Sequence, residues 1–314
     1  MEIIEGVALS ELCDYSFGDQ SGQWGQIYTS FMKDANLFNT EFASKVFEVK
    51  QERDYMTLFI DNIRLYRREI SDVKPEDKTV IDKLQSKNDL LKLCGHFSSM
   101  RFIIFTNLED TPTDEYIFDA IPDNVLCVSA VNAIAHGGKV IPAPYGVQRR
   151  MNPQDNRIGS IEQYMDHPPS DPAGLLYVSH NESSNKERIG IKDLFYDKEW
   201  AEVNRQRAPY SVFLHNLANS KFMICPKGNG IDCHRNWEVL YMRRVPIMTR
   251  DPYLEVLFEN YPVLFVDKYS DITEELLLAN NDLFQQAQTM DLSDLTLPKF
   301  FDNIIDRYVN TSNH

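Results

Sequence analysis

Short apolar runs alternate with helical stretches along much of this 314-residue chain, and that alternation restricts the folds open to it. The predicted strands, each an apolar run bounded by polar residues, are 101–107, 124–132, 138–144, 175–181, 222–225, 245–248 and 263–267. The predicted helices, each with apolar residues at helical spacing, are 77–95, 209–221, 271–290 and 297–309. Strands separated by helices predict an α/β fold with parallel sheets. In the helix at 271–290, Asp271 is the expected N-cap, with Glu274 three residues later.

The length of the chain predicts two domains, because one hydrophobic core rarely extends over so many residues. Residues 149–173 contain four prolines and no apolar run, so they are the expected linker. This divides the chain into an N-terminal domain at 1–148 and a C-terminal domain at 174–296. The last segment, 297–314, is an expected helix that returns to the N-terminal domain.

The composition of the chain limits which binding partners and which cellular compartment are expected. A net charge of −15 makes nucleic acid and anionic membranes poor partners. No apolar run approaches the roughly 18 residues of a transmembrane helix, so no transmembrane segment is expected. The five cysteines include no C-x-x-C pair, which favours a reducing compartment, and we expect a cytoplasmic protein.

The stretch "CPKGNGIDCHRNWEVL" at 225–240 stands out against this acidic background. It predicts a strand end, a glycine loop and a helix, with Lys227, His234 and Arg235 near the positive end of the helix dipole. An anion makes that placement favourable, and Gly228 and Gly230 would free the loop for tight or left-handed turns beside a phosphate. Asp232 is the expected N-cap. The alternative is a plain turn in which Asp232 neutralises Arg235.

The motif does not match the common phosphate-binding signatures. The Walker A pattern is absent, and the dinucleotide fingerprint would require a small residue where Cys233 stands. Glu238 follows Arg235 by three residues on the same helix face. It is either an acceptor for the vicinal hydroxyls of a ribose or the partner of Arg235 in an ordinary ion pair.

Residues 209–276 resemble the C-terminal half of exostosin-type glycosyltransferases. In that family a strand ends in C-P-x-G, an Arg and a Glu follow three residues apart on a helix, and a strand beginning P-I or P-V comes next. "LLYVSHNESSNKERIG" is similar to the opening strand and loop of the same domain, so the resemblance is clearest over 175–276. It implies a GT-B fold, in which two Rossmann-like domains with parallel sheets face a cleft. One departure is the pair Arg244 and Val245, where the family usually has a small residue.

The resemblance also implies an activity. The protein would move a sugar from a nucleotide-sugar, with a UDP-sugar expected, to a glycan, glycolipid or other hydroxyl acceptor, as in polysaccharide biosynthesis. Transfer would be inverting and independent of metal and cofactors, in keeping with the lack of an apolar-flanked D-x-D and of zinc-type ligand spacing. The alternative is a non-catalytic GT-B-like protein that binds a nucleotide or phosphoglycan. The expected donor-binding residues are Arg188, Lys227, Gly228, Asn229, Gly230, Arg235 and Glu238.

An inverting transferase needs a general base from the N-terminal domain. Asp19 lies in a polar, glycine-rich loop that also contains Asp14, and His136 follows a predicted strand, where open α/β sheets place ligands. Asp19 and His136 are therefore the candidate catalytic residues. The alternatives are turn residues for the two aspartates and a loop histidine for His136.

Overall fold

The computed structural model describes the chain in two units. One, the C-unit, is built on Pro144–Phe300, and the other, the N-unit, combines Gly6–Ala143 with Phe301–His314. The described residues are 9, 11–17, 35–61, 94–107, 121–133, 137–147, 156–166, 172–206 and 208–310.

A five-stranded parallel sheet forms the frame of the N-unit, in the order β1-β2-β3-β4-β5. The strands are β1 (Tyr15–Phe17), β2 (Tyr55–Asp61), β3 (Arg101–Asn107), β4 (Val125–Val131) and β5 (Val140–Ala143). The order in the sheet follows the order in the chain, so the described strands of this unit contain no reversal.

Both faces of β3 are covered, as its run of apolar residues requires. Phe102 and Phe105 point to opposite faces because side chains alternate along a strand. On one face Phe102 stacks on Phe42 of helix α1 (Ala35–Lys50), with ring centroids 6.2 Å apart. On the other, Phe105 stacks on Phe301 at 5.0 Å. The terminal segment therefore supplies part of the core of the N-unit.

The C-unit has its own five-stranded parallel sheet, in the order β7-β6-β8-β9-β10. Its strands are β6 (Gly174–Val178), β7 (Ala201–Val203), β8 (Ser220–Ile224), β9 (Val245–Thr249) and β10 (Leu264–Val266). The chain first adds β7 on one side of β6 and then places β8 on the other side. This reversal between β6 and β8 defines a switch point, where doubly wound sheets bind ligands at the carboxyl ends of the strands.

Helices accompany the strands of the C-unit. They are α2 (Arg157–Asp166), α3 (Tyr210–Ala218), α4 (His234–Tyr241), α5 (Pro252–Leu257), α6 (Glu274–Ala279) and α7 (Asn281–Thr289). Short 3₁₀ turns occupy Glu182–Ser184, Lys186–Arg188, Lys192–Leu194, Tyr269–Asp271 and Leu292–Leu295. Helix α8 (Leu297–Ile305) passes from the C-unit into the N-unit and continues as a π-helical turn at Asp306–Asn310.

The turn from α4 into β9 contains no glycine, and two backbone hydrogen bonds hold it. Arg243 takes the left-handed conformation at φ 55°, and its N–H donates to Leu240 O at 2.8 Å. The next N–H, of Arg244, donates to Val239 O at 3.0 Å, which completes a Schellman cap. Arg244 is fully buried, with Nη2 donating to Ala218 O at 2.5 Å, and burial lowers its pKa to about 10.

Two details of the helices differ from the sequence prediction. The single helix expected at 271–290 is interrupted at Asn280, which separates α6 from α7. The N-cap of α6 is Thr273 and not Asp271, because the Thr273 hydroxyl accepts from Leu276 N–H at 3.2 Å. Asp271 instead ends a 3₁₀ turn and accepts from Lys268 N–H at 3.1 Å.

The predicted α/β fold with parallel sheets is confirmed. Within the predicted linker 149–173, residues Arg157–Asp166 form α2. Of the helix expected at 77–95, residues 77–93 lie outside the described part of the chain. None of the helices in the described ranges is long and apolar enough to cross a membrane.

Candidate functional site

The carboxyl ends of β6 and β8 bring the predicted donor residues together. Residues 225–233, which we call the glycine loop, follow β8 directly and lead into α4. Arg188 lies in the loop after β6, the neighbouring strand. The switch point of the sheet and the glycine-rich motif therefore coincide, which a sequence pattern alone does not require.

Arg188 braces the glycine loop from the side. Its Nε donates to Lys227 O at 2.6 Å, and its Nη2 donates to Pro226 O at 2.7 Å. Nη1 donates to Asn181 O at 3.2 Å and to Ser184 Oγ at 2.9 Å. The guanidinium is thus committed to protein acceptors, which favours a role in holding the loop; direct contact with a diphosphate stays a prediction.

Gly228 is required by close approach and not by a left-handed turn. A Cβ on this residue would lie 3.0 Å from Cys233 Sγ and 3.1 Å from Arg188 Nη2. The Gly228 N–H donates to Gly230 O at 3.0 Å, so the loop closes tightly on itself. Neither glycine has a positive φ, in contrast to the left-handed turns that the sequence suggested. Asn229, between them, is exposed.

Lys227 forms an ion pair with Asp251, the residue before helix α5. Its ammonium lies 2.5 Å from Asp251 Oδ2, and the Asp251 side chain also caps α5 by accepting from Tyr253 N–H at 3.0 Å. The lysine side chain is one-quarter exposed. The lysine charge is thus paired with a carboxylate at the edge of the glycine loop.

The sequence predicted Asp232 as the N-cap of α4, but the N-cap is Cys233, whose side chain makes no capping hydrogen bond. Asp232 is 1% exposed, and its Oδ1 accepts from Cys233 N–H and the Asn236 amide, each at 2.8 Å. Oδ2 accepts from Tyr145 N–H and the Trp237 indole, also at 2.8 Å each. Burial raises its pKa to about 6, against the opposing effect of these donors. Asp232 therefore anchors the start of α4 and does not face a ligand.

His234 opens the first turn of α4. Its ring stacks on Tyr145 with centroids 4.2 Å apart, and its Nδ1 lies 2.7 Å from Gly146 O. A carbonyl only accepts, so Nδ1 carries the proton in this contact. The contact fixes the tautomer of the ring and its orientation.

Arg235, the next residue, keeps one donor unmatched. Its Nε lies 3.4 Å from Glu238 Oε2, and its guanidinium carbon lies 3.8 Å from the centroid of the Phe213 ring. Nη1 is buried and has no hydrogen-bond partner in the described part of the chain. Buried polar atoms in native structures are nearly always paired, so an unmatched cationic donor at a switch point indicates a place for an anion.

Glu238 lies at the centre of a buried charge network and is 1% exposed. Its Oε1 accepts from Tyr210 OH at 3.0 Å and lies 3.5 Å from Arg157 Nη1. Burial raises the pKa of Tyr210, so the phenol stays protonated and donates a hydrogen bond to the carboxylate. Glu238 therefore forms the i,i+3 ion pair with Arg235, as part of a buried network that also includes Tyr210 and Arg157, and its contact with a ribose stays a prediction.

Sequence reasoning missed Arg157, Tyr210 and His180 at this site. Arg157 begins α2, inside the stretch that lacked a clear pattern, and reaches Glu238 across 81 positions of sequence. The sequence pattern places Tyr210 only at the start of the predicted helix 209–221. His180 follows β6 by two residues and is 9% exposed. The sequence places His180 inside the predicted strand 175–181, whereas β6 ends at Val178, so the sequence carried no signal for its position past the strand end.

The candidate bases are not part of the described structure: Asp19 and His136 both lie outside the described residues. Asp14, from the same loop as Asp19, is described. Its Oδ2 accepts from Thr57 N–H at 2.7 Å and from the Thr57 hydroxyl at 2.8 Å, and its Oδ1 pairs with Arg53. Asp14 therefore ties the start of β1 to β2.

Comparison with other proteins leaves the family open, because the sequence matches none of the protein-family models and no curated protein. Among the described residues, no group of three His, Cys, Asp or Glu side chains could hold a metal ion. The C-unit offers a glycine loop braced by Arg188, the cations Lys227 and Arg235 at and after that loop, and the buried carboxylate of Glu238.

Proposed function

We propose that the C-unit binds the diphosphate of a nucleotide-sugar and that the protein is a glycosyltransferase. The observation that carries the proposal is the unmatched, buried Nη1 of Arg235 beside the glycine loop at the switch point. An anionic oxygen is the natural partner for a guanidinium N–H, and the N-terminal end of α4 adds a partial positive charge. Lys227, held by Asp251, and His234, held by Gly146, add further positive or hydrogen-bonding capacity nearby.

The same arrangement suits the departure of a nucleoside diphosphate. As the bond from the sugar to the diphosphate breaks, negative charge grows on the leaving phosphate, and fixed cations and dipoles stabilise that charge without reorganising. Arg188 and Glu238 keep the loop and Arg235 in place. The resemblance to exostosin-type enzymes favours UDP as the nucleotide and a glycan or glycolipid hydroxyl as the acceptor. The GT-B arrangement, with Asp19 or His136 as the base, is part of this proposal.

The first test measures binding of UDP and uridine to the wild type and to Arg235→Ala by titration calorimetry. Loss of a charge-assisted hydrogen bond should weaken UDP binding roughly ten- to a hundredfold and leave uridine nearly unchanged. Arg250→Ala is the matched control, because it removes a half-exposed arginine of the same unit that pairs with Glu255. Equal UDP affinity in the folded Arg235→Ala variant and the wild type would show that the glycine loop is only a turn.

A second measurement separates the transferase from a binding protein. Incubation with UDP-sugars should release UDP, with or without an added acceptor, since many transferases hydrolyse their donor slowly. Binding of UDP with no release from any UDP-sugar would favour the non-catalytic alternative.

A further inference from the structure

His180 combines burial with a position at the switch point. It stands two residues after β6, and its Nε2 lies 3.3 Å from Arg188 O. The carbonyl oxygen can only accept, so Nε2 carries the proton and Nδ1 is left with a lone pair. The ring is thus attached to the same residue that braces the glycine loop.

The Nδ1 lone pair of His180 has no match. Nδ1 is buried and has no hydrogen-bond partner among the residues that the structure describes. Burial lowers the pKa of His180 to about 4, with the charges of Lys192, Arg188 and Arg235 adding to the effect. The ring is therefore neutral at pH 7 and acts as an acceptor, and a buried acceptor without a donor destabilises the structure.

Two unmatched atoms of opposite kind thus lie in one region. Arg235 Nη1 is a cationic donor in the first turn of α4, and His180 is hydrogen-bonded to Arg188, which braces the glycine loop that leads into α4. The diphosphate of a nucleotide-sugar satisfies the arginine, but its two esterified phosphates carry no O–H to give to the imidazole at neutral pH. The pair fits a ligand that presents an anionic group and, beside it, an O–H or N–H.

We infer that His180 is a specificity residue of the donor site, accepting at Nδ1 a hydrogen bond from a hydroxyl or N–H of the group attached to the diphosphate. This inference rests on the proposed function and adds what that function leaves open, namely how the site distinguishes a nucleotide from a bare phosphate. Both atoms lack exposed surface, so the neighbouring side chains move apart when the ligand enters.

The test compares UDP, 2′,3′-dideoxy-UDP and inorganic pyrophosphate on the wild type, His180→Leu and His180→Asn. His180→Leu removes the acceptor and should weaken UDP binding about tenfold, with pyrophosphate binding unchanged. His180→Asn keeps an oxygen acceptor near the position of Nδ1 and should stay within about threefold of the wild type. If His180→Leu also abolishes the preference for UDP over its dideoxy analogue, the ribose supplies the hydrogen; if that preference persists, the base does.

A spectroscopic measurement on the wild type serves if His180→Leu does not fold. In ¹⁵N-histidine-labelled protein, the Nδ1 resonance of His180 should move upfield with UDP and stay in place with pyrophosphate. An equal loss of UDP and pyrophosphate in His180→Leu, or an unmoved resonance with UDP bound, overturns the inference and leaves the proposed function standing. A wild type that binds neither UDP nor pyrophosphate overturns both.

Discussion

At the scale of single residues, the site depends on buried polar groups whose partners are fixed by the fold. Asp232 accepts four hydrogen bonds, and Glu238 contacts one tyrosine and two arginines, so both carboxylates are fully engaged by protein groups. Arg235 and His180 differ from them, because each keeps one buried atom without a partner among the described residues.

The buried Asp232 should leave a signature in the pH dependence of stability. Its pKa of about 6 in the folded protein exceeds the ordinary 3.8, so the folded state binds the proton more tightly and stability falls as pH rises between these values. We expect the free energy of unfolding of the wild type, minus that of Asp232→Asn, to fall by about 2 kcal/mol from about pH 4 to about pH 7.

Urea unfolding at a series of pH values gives this difference. The wild-type curve alone does not suffice, because the lowered pKa of His180 acts in the opposite direction over much of the same range. A difference that is flat or rises with pH would contradict the proposed titration of Asp232.

At the scale of elements, local sequence predicted most strands and the positions of most helices. Strand β3 and four of the five strands of the C-unit were readable because buried parallel strands are short apolar runs. Strand β7 was not, because none of its three residues is fully buried. The break at Asn280 was not, because the apolar spacing continues through it. The contact from Arg157 to Glu238 was not readable either, since it joins α2, which begins in a polar, proline-rich stretch, to a helix 81 residues away. Long-range polar contacts leave no period in the sequence.

The cap after α4 offers a test at this scale. Arg243→Gly and Arg243→Ala both remove the hydrogen bonds from Nη1 to Gln288 O and Met290 O, but only glycine relieves the left-handed backbone. We expect the Gly variant to be more stable than the Ala variant by about 1 kcal/mol in urea unfolding. Equal stabilities would mean that the φ of 55° carries no strain.

At the scale of the whole molecule, the N-unit is discontinuous in sequence. Gly6–Ala143 is joined by Phe301–His314, and Phe301 stacks on Phe105 on one face of β3. Within the terminal segment, Ile304 and Val309 are also buried. The segment that follows the C-unit thus belongs to the structure of the other unit.

Phe301→Ala tests this assignment. Loss of the stacked ring should destabilise the N-unit by about 2 kcal/mol, since Phe301 is only partly buried, whereas Asn303→Ala, at an exposed position of the same helix, should change stability by less than about 0.5 kcal/mol. Hydrogen exchange should quicken in β3 and β4 but not in β8. Faster exchange confined to β8 and β9 would place the helix end with the C-unit instead.

The discontinuity of the N-unit has a consequence for synthesis. A ribosome completes Gly6–Ala143 first, but the residues that close this core come only after the whole of Pro144–Phe300. At roughly 5–20 residues per second, the intervening stretch of about 160 residues delays that closure by roughly 10–30 s. The C-unit, whose strands are contiguous in sequence, can complete its sheet within that interval. We therefore expect the core of the N-unit to close after the sheet of the C-unit has formed, although its residues Gly6–Ala143 are translated earlier.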